Sequence, residues 1–172
     1  SNTIAIGDGS IATFYDAIAI GYQDTASGNI ALATGRWTKS SGIASFSACD
    51  QTKATGQAAF SAGYATLASG FASIAAGSQS TASGSYSFAT GYKTSASTFG
   101  TATFGYMSSA TGTYSIAAGY EATGQSYSSL TIGRYNVLAG NTANWLPGDP
   151  VFVIGNGSST TSRTNAFTVL KN

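Results

Sequence analysis

Small and large side chains alternate in five-residue runs that close on glycine, and the runs recur every fourteen residues. Ala17-Ile18-Ala19-Ile20-Gly21 and Ser115-Ile116-Ala117-Ala118-Gly119 are examples. Alternation over four residues predicts a short β-strand. The frames begin at Thr3, Ala17, Ala31, Ser45, Ala59, Ser73, Ser87, Thr101, Ser115 and Ser129. The second frame position carries the bulk: Ile4, Ile18, Leu32, Phe46, Phe60, Ile74, Phe88, Ile116 and Leu130, with Ala102 the exception. Glycine closes each run from Gly7 to Gly133, and Cys49 alone breaks the series. A phase kept over ten frames predicts ten copies of one small unit, each stacked on the next.

The second half of each frame has its own pattern. Its tenth position is Ala12, Ala26, Ala54, Ala68, Ala82, Ala96 or Ala110, followed two residues later by Gly28, Gly42, Gly56, Gly70, Gly84, Gly112 or Gly140. One coil therefore reads as strand, glycine turn, short strand, glycine turn. Two glycines per coil suit two sharp corners, where positive φ is cheap only for glycine. The same glycines, at about 1 kcal/mol each relative to alanine, argue against two heptads of helix. Coils at sheet spacing, about 4.8 Å, make a rod roughly 48 Å long. Packing convention places the second, fourth and tenth positions in the slot between two sheets. The first and third positions, nearly all Ala, Ser or Thr, then face outward as a smooth surface for copies of the same chain. A roll this thin has little core of its own, so a symmetric oligomer is expected.

Composition narrows the function classes. Of 172 residues only 8% are charged, the net charge is +1, and the seven Lys and Arg form no basic stripe, so no nucleic-acid partner is expected. The chain has no histidine and one cysteine, which leaves disulfide frameworks, zinc sites and thiol–imidazole catalysis without their parts. Asp8 and Asp50 share a frame position three coils apart, roughly 14 Å, too far for an acid/base pair. Aspartate is too sporadic for a calcium-binding roll. The reading is non-enzymatic, with no cofactor and no metal. No apolar run reaches the roughly 18 residues of a membrane helix, so no direct membrane insertion is expected of this chain. It opens in mid-pattern at Asn2-Thr3-Ile4-Ala5-Ile6-Gly7 and reads as part of a longer protein.

The frame closely resembles the head repeat of trimeric autotransporter adhesins, the YadA-like head. Ala17-Ile18-Ala19-Ile20-Gly21 with Ala26-Ser27-Gly28, and Ser73-Ile74-Ala75-Ala76-Gly77 with Ala82-Ser83-Gly84, carry the resemblance, which extends from Thr3 to Gly133. It implies a left-handed parallel β-roll, three chains about one axis, display at a bacterial cell surface, and adhesion to an extracellular protein or glycan. Similar heads occur in phage-like tail fibres, where the same array would be a receptor-binding or spacer section. An ice-binding solenoid is a third reading, weakened by irregular outward threonines.

Residues 1–133 are thus read as the repeat head and 134–172 as a cap or neck connector. Within the latter, Asn141 to Pro150 has loop composition, while Val151-Phe152-Val153-Ile154 and Asn165-Ala166-Phe167-Thr168-Val169-Leu170 read as the strands of a β-hairpin. The candidate ligand-binding residues are Tyr64, Tyr92, Tyr106, Tyr120 and Trp37. Tyrosine recurs at the sixth frame position, so Tyr92, Tyr106 and Tyr120 should form a vertical ladder. Such a ladder offers ring and hydroxyl to a glycan or protein, or else packs over the corners or against a neighbouring subunit. Arg36, Trp37, Lys39 and Lys53 form a small basic–aromatic spot, read first as a solvated turn and only then as a binding site, and Tyr86, Phe99, Tyr114 and Tyr127 gather near the second corner. Cys49 is read as a tolerated replacement of a corner glycine, which suggests that this corner does not demand positive φ.

Overall fold

A computed structural model describes residues 2–172. Long strands recur every fourteen residues, from Ile4–Ile6 and Ile18–Tyr22 to Leu130–Arg134, and short two-residue strands run from Ile11–Ala12 to Thr123–Gly124. Each pairs in parallel with its equivalent in the next coil, Ile18 with Leu32 and Leu32 with Phe46. The long strands form one sheet and the short strands a second, and no helix occurs among the described residues. This is an all-β parallel solenoid. Nine turns are complete, rather than ten, because the tenth long strand has no short strand after it.

The expected inside and outside are exchanged. The first and third frame positions point into the roll: Ala17, Ala19, Ala33, Ser47, Ser61, Ala75, Ala89 and Ala117 are all fully buried. The second and fourth point away from it, leaving Ile20, Phe60, Ile74, Phe104, Ile116 and Leu130 exposed. The tenth position is inside, as expected, with Ala26, Ala54, Ala68 and Ala82 at zero exposure. The reason is width. A methyl group built on Gly124, where seven coils carry alanine, would lie 3.1 Å from the Ile116 carbonyl oxygen and 3.2 Å from Ser115 Oγ across the lumen. A slot one methyl wide accepts Ala, Ser and Thr and rejects Leu or Phe. Several hydroxyls that enter it bond locally, Ser40 with Ser45 (2.7 Å), Ser61 with Thr66 (2.8 Å), and Ser73 to the Gly70 carbonyl (2.8 Å), whereas those of Ser47, Ser87 and Thr103 are buried without a partner. Asp24 is fully buried there, accepting from the Thr38 amide and hydroxyl, both at 2.8 Å.

Both glycine columns lie too close to the carbonyl of the next coil for a Cβ, as at Gly21 and Gly56, and the first column adds a positive φ. Those closing the long run have φ between 94° and 142°, as expected of a corner. Cys49, in the same column, has φ 86°, so this corner does demand positive φ and the cysteine accepts it. The second column, such as Gly56 and Gly70, is not in that region, Gly140 at its end excepted; a Cβ on Gly56 would overlap the Gly70 carbonyl of the coil above. Close vertical approach, not φ, requires glycine there. The left-handed residues of the second corner, and a further set after the first, are mostly not glycine: Gln23, Trp37, Ala65 and Lys93 at the seventh position, Ile30, Ala58 and Tyr86 at the fourteenth. Each is locked by an inter-coil amide bond such as Trp37 N–H to Tyr22 O (2.8 Å) or Ala58 N–H to Ile43 O (2.8 Å).

At the far end Pro150–Asn156 resumes the long sheet in parallel with Leu130–Arg134, and Asn165–Leu170 pairs back antiparallel to it. The hairpin read from sequence is present, and its first strand also continues the solenoid: Gly155 stands beside Gly133. The side chain of Asn136 occupies the rung where the missing short strand would lie. Its Oδ1 accepts from the Thr123 amide (2.7 Å) and its Nδ2 donates to the Thr123 carbonyl (2.9 Å), imitating a strand neighbour. Lys171, buried, donates to Ser126 Oγ (2.8 Å) and the Tyr127 carbonyl (2.6 Å) beneath the Trp145 ring; desolvation lowers its pKa, against the opposing pull of Asp149.

Candidate functional site: aromatic columns on the lateral surface

In-register pairing carries every sixth-position side chain to the same edge of the rod. Tyr92, Tyr106 and Tyr120 are direct neighbours in successive strands. Their rings stack, with centroids 5.0 and 4.7 Å apart and interplanar angles of 21° and 6°. Tyr135 closes the upper end edge-on to Tyr120 at 5.5 Å, and the Lys93 ammonium lies 5.2 Å from the Tyr92 ring at the lower. The ring faces are therefore largely occupied by one another, and the ladder presents ring edges and hydroxyls. Tyr135 donates to Glu121 Oε1 (3.3 Å); its pKa is pushed up to about 12, first by desolvation, then by its hydrogen bond with Tyr120 and the charge of Glu121.

Tyr64 does not join this ladder, since Ser78 stands between it and Tyr92. Trp37 belongs to a separate cluster two coils lower. Its indole donates to Gln23 Oε1 (2.7 Å), meets Tyr22 edge-on at 5.9 Å, and carries the Arg36 guanidinium 4.8 Å from its ring centroid. Arg36 in turn forms an ion pair with Asp50, and that hydrogen bond, with the carboxylate charge, raises the Arg36 pKa.

A second aromatic row follows the other corner, as a row and not merely a gathering. Phe71, Tyr86, Phe99, Tyr114 and Tyr127 meet edge-to-face at 5.3 to 5.6 Å. They zigzag between the thirteenth and fourteenth positions, so their separations alternate between fifteen and thirteen residues. A search for a fixed period misses this row; a search for a mean of fourteen finds it. The largest feature missed is the apolar stripe on the outer face of the long sheet, where Phe46 and Phe60 pack at 5.2 Å and Phe88 and Phe104 at 5.5 Å.

Among the described residues no group of His, Cys, Asp and Glu is placed to hold a metal ion. The surface offers stacked aromatics, hydroxyl rows and scattered charges, an equipment for recognition. The family model of the YadA head domain repeat matches residues 1–23, 68–94 and 104–122. No curated protein matches the chain. Tyr92, Tyr106 and Tyr120 fall within the matched segments, whereas Trp37 and Tyr64 fall between them. The matched coils are similar to YadA head repeats, a structural adhesin module, and the parallel register carries the same fourteen-residue frame through the coils between them.

Proposed function

We propose that this chain is a non-enzymatic head module of a bacterial surface adhesin, outside the cell, assembled with two further copies of itself. The observation that carries the reading is the outer face of the long sheet. Ile4, Ile6, Ile20, Phe60, Ile74, Phe104, Ile116 and Leu130 lie exposed along the whole rod. A contiguous apolar stripe of this length marks an interface. The opposite sheet is rich in Ser and Thr at its outward positions, such as Thr55, Ser69, Ser83 and Ser97, and suits water. Three chains with their apolar stripes turned to one axis leave the hydroxylated sheets outside. Residues 134–172 serve as the cap or neck that ends the repeat array.

Ligand contact is assigned to the lateral columns: Tyr92, Tyr106 and Tyr120 as a row of hydroxyls and ring edges, with Tyr64 and Trp37 as separate contacts. The assembly is tested by sedimentation of the purified chain. A mass of three chains is expected, and Phe60→Glu with Phe88→Glu should reduce it to one while the strand signal in circular dichroism persists. A wild-type monomer at micromolar concentration would refute the assembly. For the ladder, Tyr92→Ala with Tyr106→Ala should abolish binding on arrays of matrix proteins and glycans with melting unchanged; a large loss of stability instead would mean the tyrosines pack and do not bind.

A further inference from the structure

Trp37, Gln51 and Ala65 stand above one another at the seventh frame position, where positive φ turns their side chains outward. Lys39, Lys53 and Leu67 do the same at the ninth, on the outer side of the short-strand sheet. Between the columns runs an open groove of about 660 Å³ lined by Trp37, Gln51, Lys53, Ala65 and Leu67. Ala65 contributes only a methyl where the two coils below carry Trp37 and Gln51, and the wall falls away there. One side of the groove is rigid, because Gln23, Tyr22 and Arg36 together fix the indole of Trp37. A preorganised ring loses little entropy when a ligand lands on it.

The positive charge at this groove is uncompensated: Lys53 lines it, and Lys39 stands one coil below, outside the lining. Lys39 and Lys53 are register partners on adjacent strands, about 4.8 Å apart at the backbone, and like charges directly opposite destabilise a sheet. Neither ammonium group has an ion-pair or hydrogen-bond partner among the described residues. Asp50 is held by Arg36, and Asp24 is sealed in the lumen. Two adjacent unpaired ammonium groups are conspicuous in a chain only 8% charged. They lie in residues 24–67, between the segments that match the family model.

We propose that this groove binds an acidic saccharide, its anionic group on Lys53 with Lys39 beside it at the rim, and its sugar ring against Trp37. An acidic peptide fits less well. The short-strand amides already bond to neighbouring coils, as Lys53 N–H does to Thr66 O (2.9 Å) and Lys39 N–H to Thr52 O (2.9 Å), so no strand edge is open to a second backbone. Sugar rings need no such ladder: an aromatic face meets their C–H groups, and Gln51 supplies an amide for hydroxyls. The proposal deepens the adhesin reading by naming a ligand class, and it stands apart from the trimer.

The test uses the whole chain carrying Trp145→Phe, which leaves Trp37 as its single tryptophan. Its fluorescence is titrated with oligogalacturonate, with a neutral glucose oligomer of equal length, and with oligoglutamate. Saturable change with oligogalacturonate alone is expected. Lys39→Gln and Lys53→Gln should each weaken it about fivefold, the loss of one exposed charge contact, and raised salt should weaken it further. Trp37→Ala, followed by calorimetry, should abolish it with melting unchanged. Equal binding of the neutral sugar, equal binding of oligoglutamate, no binding at all, or full affinity in the lysine variants would overturn the proposal. Trimeric mass without saccharide binding removes the groove and keeps the adhesin head; saccharide binding by a monomer does the reverse.

Discussion

Phe88 and Ala89 are adjacent in one strand and live in opposite worlds. Ala89 is fully buried in a lumen where backbone approaches backbone across a single methyl layer. Phe88 lies half-buried on the outer face, against Phe104 at 5.5 Å. In most domains the larger side chain is inside because burying more apolar area stabilises more. Here the backbone ladder of the coils fixes the lumen first, and its width decides what enters. The large side chains are turned out, where only another molecule can cover them. The intramolecular core thus holds the coil shape, while most of the large apolar side chains lie outside it.

That contrast is most readily broken by Ala89→Leu set beside Phe88→Leu. The first forces three extra carbons into a slot with no space for them and should cost about 3 kcal/mol or more, at the upper end of overpacking penalties. The second removes part of a half-buried ring and should cost about 1 kcal/mol in an isolated chain. Chemical denaturation of both, at concentrations where the chain is monomeric, decides it. Comparable losses would mean that the lumen yields and that width does not select its side chains.

A smaller effect is expected where the lumen ends. Asn136→Ala removes the side-chain amide that stands in for a tenth short strand and leaves the Thr123 amide and carbonyl without their partners. The cost should be about 2 kcal/mol, within the range for orphaned backbone groups. Asn136→Asp keeps the acceptor for Thr123 N–H but turns the bonds donated to the Thr123 and Val137 carbonyls into contacts between a buried carboxylate and two carbonyl oxygens, and should lose at least as much at neutral pH. Hydrogen exchange at Thr123 reads the site directly: the alanine variant should exchange faster there, and unchanged protection would show that the terminal rung is closed by something else.

Much of this was legible in the residues, for physical reasons. Fourteen-residue glycine recurrence can persist only if equivalent residues are vertical neighbours, so the ladder of Tyr92, Tyr106 and Tyr120 followed at once. The direction of the alternation was not legible. A period of two says that Ile18 and Ala19 face opposite ways, and only the lumen's width says which way is in. The left-handed turns at Gln23, Trp37 and Ile30 left no trace either, because inter-coil amide bonds impose them on residues with no preference for that conformation. Pro150–Asn156 did leave one: Phe152-Val153-Ile154-Gly155 repeats the bulk-then-glycine pattern eight residues late, after the loop that carries Trp145. For the candidate site, spacing found the stacked tyrosines and put Ser78 between Tyr64 and Tyr92, but could not tell that Trp37 needs Gln23 and Arg36 to hold it.

The smallest expected effect lies between inside and outside, at the corner where the strand turns. Cys49 is the one side chain in a column of glycines, and its φ of 86° falls below the 94° to 142° that the glycines adopt. A non-glycine residue held in sparsely populated space costs of order 1–3 kcal/mol. Glycine would relieve that strain but returns roughly 0.5–1 kcal/mol through the greater freedom of the unfolded chain. Cys49→Gly should therefore stabilise by about 1 kcal/mol, the difference between these two opposing contributions. Cys49→Ala supplies the control, because it removes the thiol and keeps the Cβ: its midpoint should stay with the wild type. If both variants gained equally, the thiol and not the backbone would be the source of strain, and the corner would not select glycine by φ.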